Sequence, residues 1–294
     1  MDGVIVVDKP SEWTSHDVVN KMRRWAGTRK VGHLGTLDPA ATGVLPLVIG
    51  RATRLAQFYT KNDKMYEGVV QFGYSTDSYD GDGQPTSPEQ DVTITAEQLE
   101  PLLARFRGKL SQLPPAVSAK KIGGRPAYEL ARKNLPVELK PVDIEVYALD
   151  LLSVEGNQAR IRVHCSSGTY IRSIAHDLGQ ALGCGAFLKS LRRTMSGDFK
   201  IEDARTLQEI EQLSAAGRFE EAVIPAASLL PHFPTGRVDD VTAAQIRNGR
   251  VFRTSPFASG GETPRYVKAV NSEGGLIAIG EATMPHLYHP VLVL

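Results

Sequence analysis

The apolar residues of this chain come in short runs that turn signals keep interrupting. The longest, VLPLVI at 44–49, falls far short of the roughly 20 residues a membrane-spanning helix needs. Runs of this length bounded by Gly and Pro suit buried strands. Strands are therefore expected at 4–7, 44–49, 66–72, 142–154 and 158–165, the last two joined by a turn at Glu155-Gly156-Asn157. Between them lie segments with helical spacing. Val18, Val19, Met22 and Trp25 form one apolar stripe, with Ser15 read as the N-cap, Gly27 as the stop, and Lys21, Arg23 and Arg24 opposite. Short helices are expected at 51–59, from the Thr95/Gln98 capping box to about 106, from Pro126 to 133, at 170–182 before Gly183, and at 207–216. Strands in runs with helices inserted irregularly favour an α+β fold with a mixed, largely antiparallel sheet over a regular βαβ repeat.

Prolines 225, 231 and 234 mark a boundary. Beyond them a helix at 242–248, the stop Gly249 and strands at 266–270 and 276–279 suggest a small β-rich unit. The division expected is 1–230 for the main domain and 231–294 for the second.

With 41% hydrophobic and 23% charged residues, the chain can build a core. Its 34 basic and 33 acidic residues leave a net charge of +1, which argues against a non-specific polycation. The sum conceals segregation: residues 1–60, 111–140 and 161–200 carry +3, +4 and +4, and acidic blocks lie between them. Gathered on one face, these blocks would attract phosphates. Two cysteines, Cys165 and Cys184, make no disulfide framework and are expected as small buried residues. No signal peptide is visible, so a reduced cytoplasmic protein is expected. GxxxxGK[ST], HExxH and GxSxG are all missing, and SxxK at 118–121 has none of its companion motifs. His286 and His289 have no third ligand nearby. No cofactor and no metal are expected, so side chains alone must do any chemistry.

One segment stands apart. Residues 32–43 hold a single charge, Asp38, among glycines that permit close approach of another chain, with Pro39 stiffening the bend. On those residues alone, a turn or cap is the commoner role for such an aspartate.

The segment GHLGTLDPAATGVL resembles the active-site motif of the TruB family of tRNA pseudouridine synthases. Five further segments resemble that family in its own order: Asp8-Lys9-Pro10 with Thr14-Ser15, Lys64-Met65-Tyr66 with Gly73 and Thr76-Asp77-Ser78, the basic AVSAKKIGGRPAYELAR, CSSGTYIR at 165–172, and LRRT at 191–194. The resemblance implies the pseudouridine synthase fold and isomerisation of uridine 55 in the tRNA T-loop to pseudouridine. It places Asp38 on the catalytic aspartate, Tyr66 on the tyrosine that stacks on the base, and Arg172 on its arginine partner. His33, Tyr170 and Leu191 fall where the flipped nucleotide is contacted. Lys120 and Lys121 belong to a basic RNA-gripping insertion at about 115–140, and the C-terminal unit resembles a PUA-like RNA-binding domain in position and size. The partner implied is tRNA, met by a monomer with no membrane and no protein partner. Two alternatives stay open: a guide-dependent rRNA synthase, and a tRNA-folding chaperone with incidental catalysis.

Overall fold

Residues 1–115, 139–254 and 263–294 are described in this computed structural model, with the backbone alone of 121–122 and 125–126. In chain order the first unit runs β1 (Gly3–Lys9), α1 (Ser15–Trp25), β2 (Val31–His33), β3 (Thr42–Ile49), a 3-10 helix (Gly50–Phe58), β4 (Lys64–Phe72), α2 (Ala96–Arg105) and β5 (Gly108–Gln112). Two short strands follow, β6 (Lys121–Ile122) and β7 (Arg125–Pro126), paired with each other. Then come β8 (Val142–Glu155), β9 (Gln158–Cys165), α3 (Ile171–Leu182), β10 (Ala186–Ser196), β11 (Phe199–Lys200), β12 (Arg205–Thr206), α4 (Leu207–Ala215) and β13 (Ile224–Pro225).

The main sheet has the order β12-β1-β3-β10-β4-β9-β8-β5 and is largely antiparallel. A parallel seam joins β3 to β10 through Arg192↔Thr42 and Arg193↔Gly43. Gly43 makes the seam possible: its φ is +98°, and a Cβ there would lie 2.2 Å from the Arg193 carbonyl oxygen. On one side of the seam, α2 and α3 cover β4, β8 and β9 through a core that includes Val70, Leu99, Val163 and Ile174. On the other side β1 and β3 are buried on both faces. Val18, Val19 and Met22 of α1 pack against Ile5, Val7 and Leu45. Val4, Val6, Val44 and Val48 face the 3-10 helix and the C-terminal unit. Double-sided burial explains why β1 and β3 are continuous apolar runs while β9 alternates.

The C-terminal unit is a five-stranded sheet, β14-β16-β17-β18-β15. Its elements are β14 (Thr235–Arg237), α5 (Asp240–Arg247), β15 (Phe252–Arg253), β16 (Tyr266–Val270), β17 (Leu276–Met284) and β18 (Leu287–Val293). Val270, Ile279 and Leu292 join the core around Val4 and Leu55. Buried Lys268 donates to the carbonyls of Ala227 (2.9 Å) and Leu229 (3.0 Å), tying this sheet to the connecting segment. Among the described residues, no helix is long and apolar enough to cross a membrane.

Most expected elements form within a residue or two of their expected bounds, and both cysteines are buried and free. The cap of α1 differs. Thr14, not Ser15, is the N-cap, in a full capping box with Asp17. Asp17 stands three residues after Thr14, the spacing the box requires. Ser15 is buried one position inside and does other work. Pro126 lies in the β6–β7 ladder opposite Lys121 rather than opening a helix at once. The rest of the helix expected to 133 lies outside the described residues.

Candidate active site

The loop between β2 and β3 is held from three directions. Ser15 donates its Oγ proton to the Leu37 carbonyl (3.0 Å) and accepts from the Leu37 amide (2.9 Å). Lys9, fully buried, donates to the carbonyls of Pro10 (2.8 Å), Trp13 (2.7 Å) and Pro39 (3.0 Å). Arg193, also buried, donates to the carbonyls of Gly35 (3.0 Å), Thr36 (3.3 Å) and Val44 (2.7 Å). Carbonyls that a tight loop would otherwise leave unpaired are thus satisfied. The neighbouring residues of two motifs also meet, since Arg192 makes a bidentate pair with Asp8 at 2.8 and 3.0 Å.

The result is a fixed backbone on either side of Asp38. Its carboxylate lies in a cavity of about 340 Å³ lined by Thr36, Leu37, Asp38, Tyr66, Thr169, Tyr170, Ile171, Arg172 and Leu191. That volume lies within the range of small-molecule sites, roughly 300–1,000 Å³. Arg172, from the first turn of α3, places Nε 3.1 Å from the Asp38 carboxylate. Its NH1 group donates to Asp80 Oδ2 (3.0 Å) and to the Ser78 carbonyl (3.1 Å). One buried guanidinium therefore bridges two carboxylates, and its fork geometry suits that task where a lysine would not.

Opposing fields act on Asp38. Burial pushes its pKa up, Arg172 pulls it down, Asp80 pushes it up again, and Lys9 pulls it down. The net direction is upward, even though 45% of the side chain opens onto the cavity. Burial also raises the Tyr66 phenol, which stays protonated at neutral pH and able to donate. Desolvation brings Lys9 down to about 8, opposed by the Asp38 charge.

Of the residues expected at the site, the structure brings Asp38, Tyr66, Arg172, Tyr170 and Leu191 into one cavity. His33 is not among its lining residues. It sits at the end of β2, where its Nδ1 accepts from the Gly35 amide at 3.4 Å, and burial lowers its pKa so that the neutral ring prevails. Lys120 and the Lys121 side chain lie outside the described residues. Two participants escaped the sequence reading. Asp80 lies in the acidic, turn-rich segment TDSYDGDG at 76–83, with nothing in the sequence to single it out. Gln112 accepts from the Tyr170 amide (2.8 Å) and donates to its carbonyl (3.0 Å), clamping the residue that opens α3. The cluster of acids at 77, 80 and 82 was the one available hint for the first, and it did not point to Arg172; for the second there was none. Among the described residues, no group of three or more His, Cys, Asp or Glu side chains is arranged to hold a metal ion.

The mixed, largely antiparallel sheet with its inserted helices is of the pseudouridine synthase type. Solved structures agree. The chain superposes on a protein in the structure of an H/ACA RNP bound to a substrate RNA containing 2′-deoxyuridine. The TM-score is 0.73, with 26% identity, covering 99% of this chain and 84% of that one. It also superposes on a chain of a Cbf5-Nop10-Gar1 complex with a TM-score of 0.70 and 28% identity, covering 97% and 79%. The family model described as TruB family pseudouridylate synthase (N terminal domain) matches residues 23–171. The tRNA pseudouridylate synthase B C-terminal domain model matches 172–231. A tRNA pseudouridine synthase B of Solibacter usitatus is 64% identical over 294 residues, the whole of both chains. One of Dechloromonas aromatica is 43% identical over 96% of this chain and 91% of its own. The chain belongs to the TruB family of pseudouridylate synthases.

Proposed function

We infer that this protein isomerises uridine to pseudouridine in tRNA, at position 55 of the T-loop, acting as a monomer in the cytoplasm. The observation that carries this reading is the Asp38–Arg172 pair at 3.1 Å within a cavity walled by Tyr66, Tyr170 and Leu191. Full-length identity of 64% with an enzyme named for tRNA supports that substrate over a guide-dependent rRNA.

The reaction breaks the N1–C1′ bond, turns the uracil, and bonds C5 to C1′. The C5 proton is lost and N1 ends protonated, so nothing is oxidised or reduced. A base buried in a folded loop must first be extruded, at a cost of roughly a few kcal/mol. Tyr66 and Leu191 would receive it, one by stacking and one as an apolar wall. Asp38 would act as the anion, attacking C1′ or C6 or removing the C2′ proton. Arg172 keeps an ionised fraction available against desolvation. The Tyr66 hydroxyl would relay the C5 proton, releasing its own proton as it takes one. Tyr170 and His33 would contact the extruded nucleotide and its neighbours, Lys120 and Lys121 the phosphates. Residues 231–294, as a PUA-like unit, would add RNA contacts beyond the catalytic domain at 1–230.

The test is pseudouridine mapping, to the nucleotide, in an unmodified tRNA transcript without any guide RNA. Wild-type protein is expected to modify uridine 55 alone. Asp38→Asn is expected to lower the rate at least about 10³-fold, on the scale lost when an acid–base or nucleophilic group is removed, while RNA binding survives. Unchanged yield from the variant would overturn the role of Asp38, and modification only with a guide would overturn the substrate.

A further inference from the structure

Asp80 reaches Arg172 from a loop outside the named strands that is closed by its own turn bonds, among them Gly83 amide to Asp80 carbonyl and Gln84 amide to Asp77 Oδ1. Thr76 Oγ1 donates to the Asp80 carbonyl at 2.7 Å, and the Leu188 amide donates to the Tyr79 carbonyl at 2.9 Å. Between Ser78 and Asp80, both of which accept from Arg172, stands Tyr79 with φ of +64°. A bulky side chain is rare in that left-handed region, where glycine rests without penalty. Some gain must hold tyrosine there.

That gain is visible. The Tyr79 ring lies flat on the His176 imidazole, with centroids 3.8 Å apart and planes 13° from parallel. His176 follows Arg172 by four residues on α3, so both side chains leave the same helix face. The helix therefore grips the loop at two points one turn apart: Arg172 on Asp80 and Ser78, His176 on Tyr79. Burial lowers the imidazole pKa and raises that of the phenol, which leaves two neutral rings in contact at neutral pH. Neither ring lines the cavity around Asp38.

We propose that the Tyr79–His176 stack is a positioning device for the reaction: by pinning the loop to α3 it holds Asp80 on Arg172, and so fixes the guanidinium against Asp38. The two residues touch no substrate and act through Asp80. Without the stack the loop keeps its internal bonds but loses its ring contact with α3, and Asp80 holds Arg172 less firmly. Misplacement by an ångström at a reacting pair costs up to about 100-fold in rate. This inference rests on the activity proposed above.

The experiment measures single-turnover pseudouridine formation at saturating T-stem-loop RNA, together with the RNA dissociation constant. Tyr79→Gly suits the φ of +64° and removes only the ring; His176→Ala removes the other ring from a good helix position. Each is expected to slow the turnover about tenfold, with RNA affinity within about twofold of wild type. Tyr79→Phe keeps the stack and is expected to keep the rate. Adding Tyr79→Gly to Asp80→Asn is expected to cost little more than Asp80→Asn alone, since both break one linkage. A purely structural stack would lower the melting temperature, leave the turnover of folded enzyme intact and add fully to Asp80→Asn; either of those last two results overturns the proposal. Should Tyr79→Gly fail to fold, His176→Ala decides on the same criteria. An inactive wild type would instead overturn the activity reading.

Discussion

The ionisation of Asp38 is set by a contest between desolvation, which favours the neutral acid, and the Arg172 guanidinium 3.1 Å away, which favours the anion. Desolvation wins, so the folded-state pKa lies above the ordinary 3.8. Stability must then depend on pH in a particular sense. Below about 3.8 the group is protonated whether the chain is folded or not, and it costs nothing. As pH rises through the higher folded pKa, the folded protein must carry an anion that the unfolded chain holds more easily. Asp38→Asn removes that cost. The variant is expected to melt above wild type at pH 7 and to lose this advantage as pH falls toward 4. Melting curves across that range check it, and equal midpoints at pH 7 would remove desolvation as the governing influence. Such a cost in stability is an ordinary bargain for a group that reacts, the role proposed for Asp38. Activity should show the same pKa as an acid limb lying above the usual carboxylate range.

At the scale of elements, the Asp38 loop owes its shape to Arg193, whose guanidinium donates to Gly35, Thr36 and Val44 while its backbone pairs with Gly43 at the seam. Arg193→Met keeps the bulk and deletes all three bonds. Of the three acceptors Val44 is buried, Gly35 half-buried and Thr36 exposed, and a buried carbonyl left unpaired costs about 1–3 kcal/mol, so the variant is expected to lose about 2 kcal/mol. Urea unfolding checks this: the midpoint should fall at unchanged slope, and turnover should drop in protein that is still folded. Arg193 also shows where sequence reading stops. β1, α1, β3 and β4 were legible because apolar spacing and caps are local signals. The strand β10, central to the sheet, was not expected as a strand, because LKSLRRTMS carries charges where a buried strand should be apolar. Arg193 is tolerated there because three distant carbonyls accept from it, and Arg192 because it pairs with Asp8. The Ser15 cap failed for the same reason: the residue looks like a cap locally, yet its hydroxyl serves Leu37, 22 residues away. Asp80 finds Arg172 across 92 residues, and nothing local announces the pairing. Asp38, Tyr66, Tyr170, Arg172 and Leu191 could be expected together only through a family resemblance. Their convergence depends on the seam, which joins strands far apart in sequence.

Across the whole molecule, charge is distributed rather than abundant. The net +1 conceals basic stretches at 1–60, 111–140 and 161–200. In the described part many of these charges are already committed. Arg172 and Arg193 are buried, Arg192 holds Asp8, and Arg162 pairs with Glu67. The proposed phosphate contacts are expected from the 111–140 block, which with six basic residues against two acidic is the densest basic stretch of the sequence. Each phosphate contact releases condensed counterions and steepens the fall of affinity with salt by about 0.7–0.9 in the log–log slope. Lys120→Ala with Lys121→Ala is thus expected to weaken T-stem-loop binding at low salt and to flatten the slope by about 1.5. Single-turnover chemistry at saturating RNA should stay near wild type, because neither lysine is expected at the reacting atoms. Binding isotherms from about 50 to 300 mM KCl read both quantities at once. Parallel lines for variant and wild type would take these lysines out of the phosphate footprint and shift it to the exposed cations of the first block, Arg24, Arg29 and Lys30.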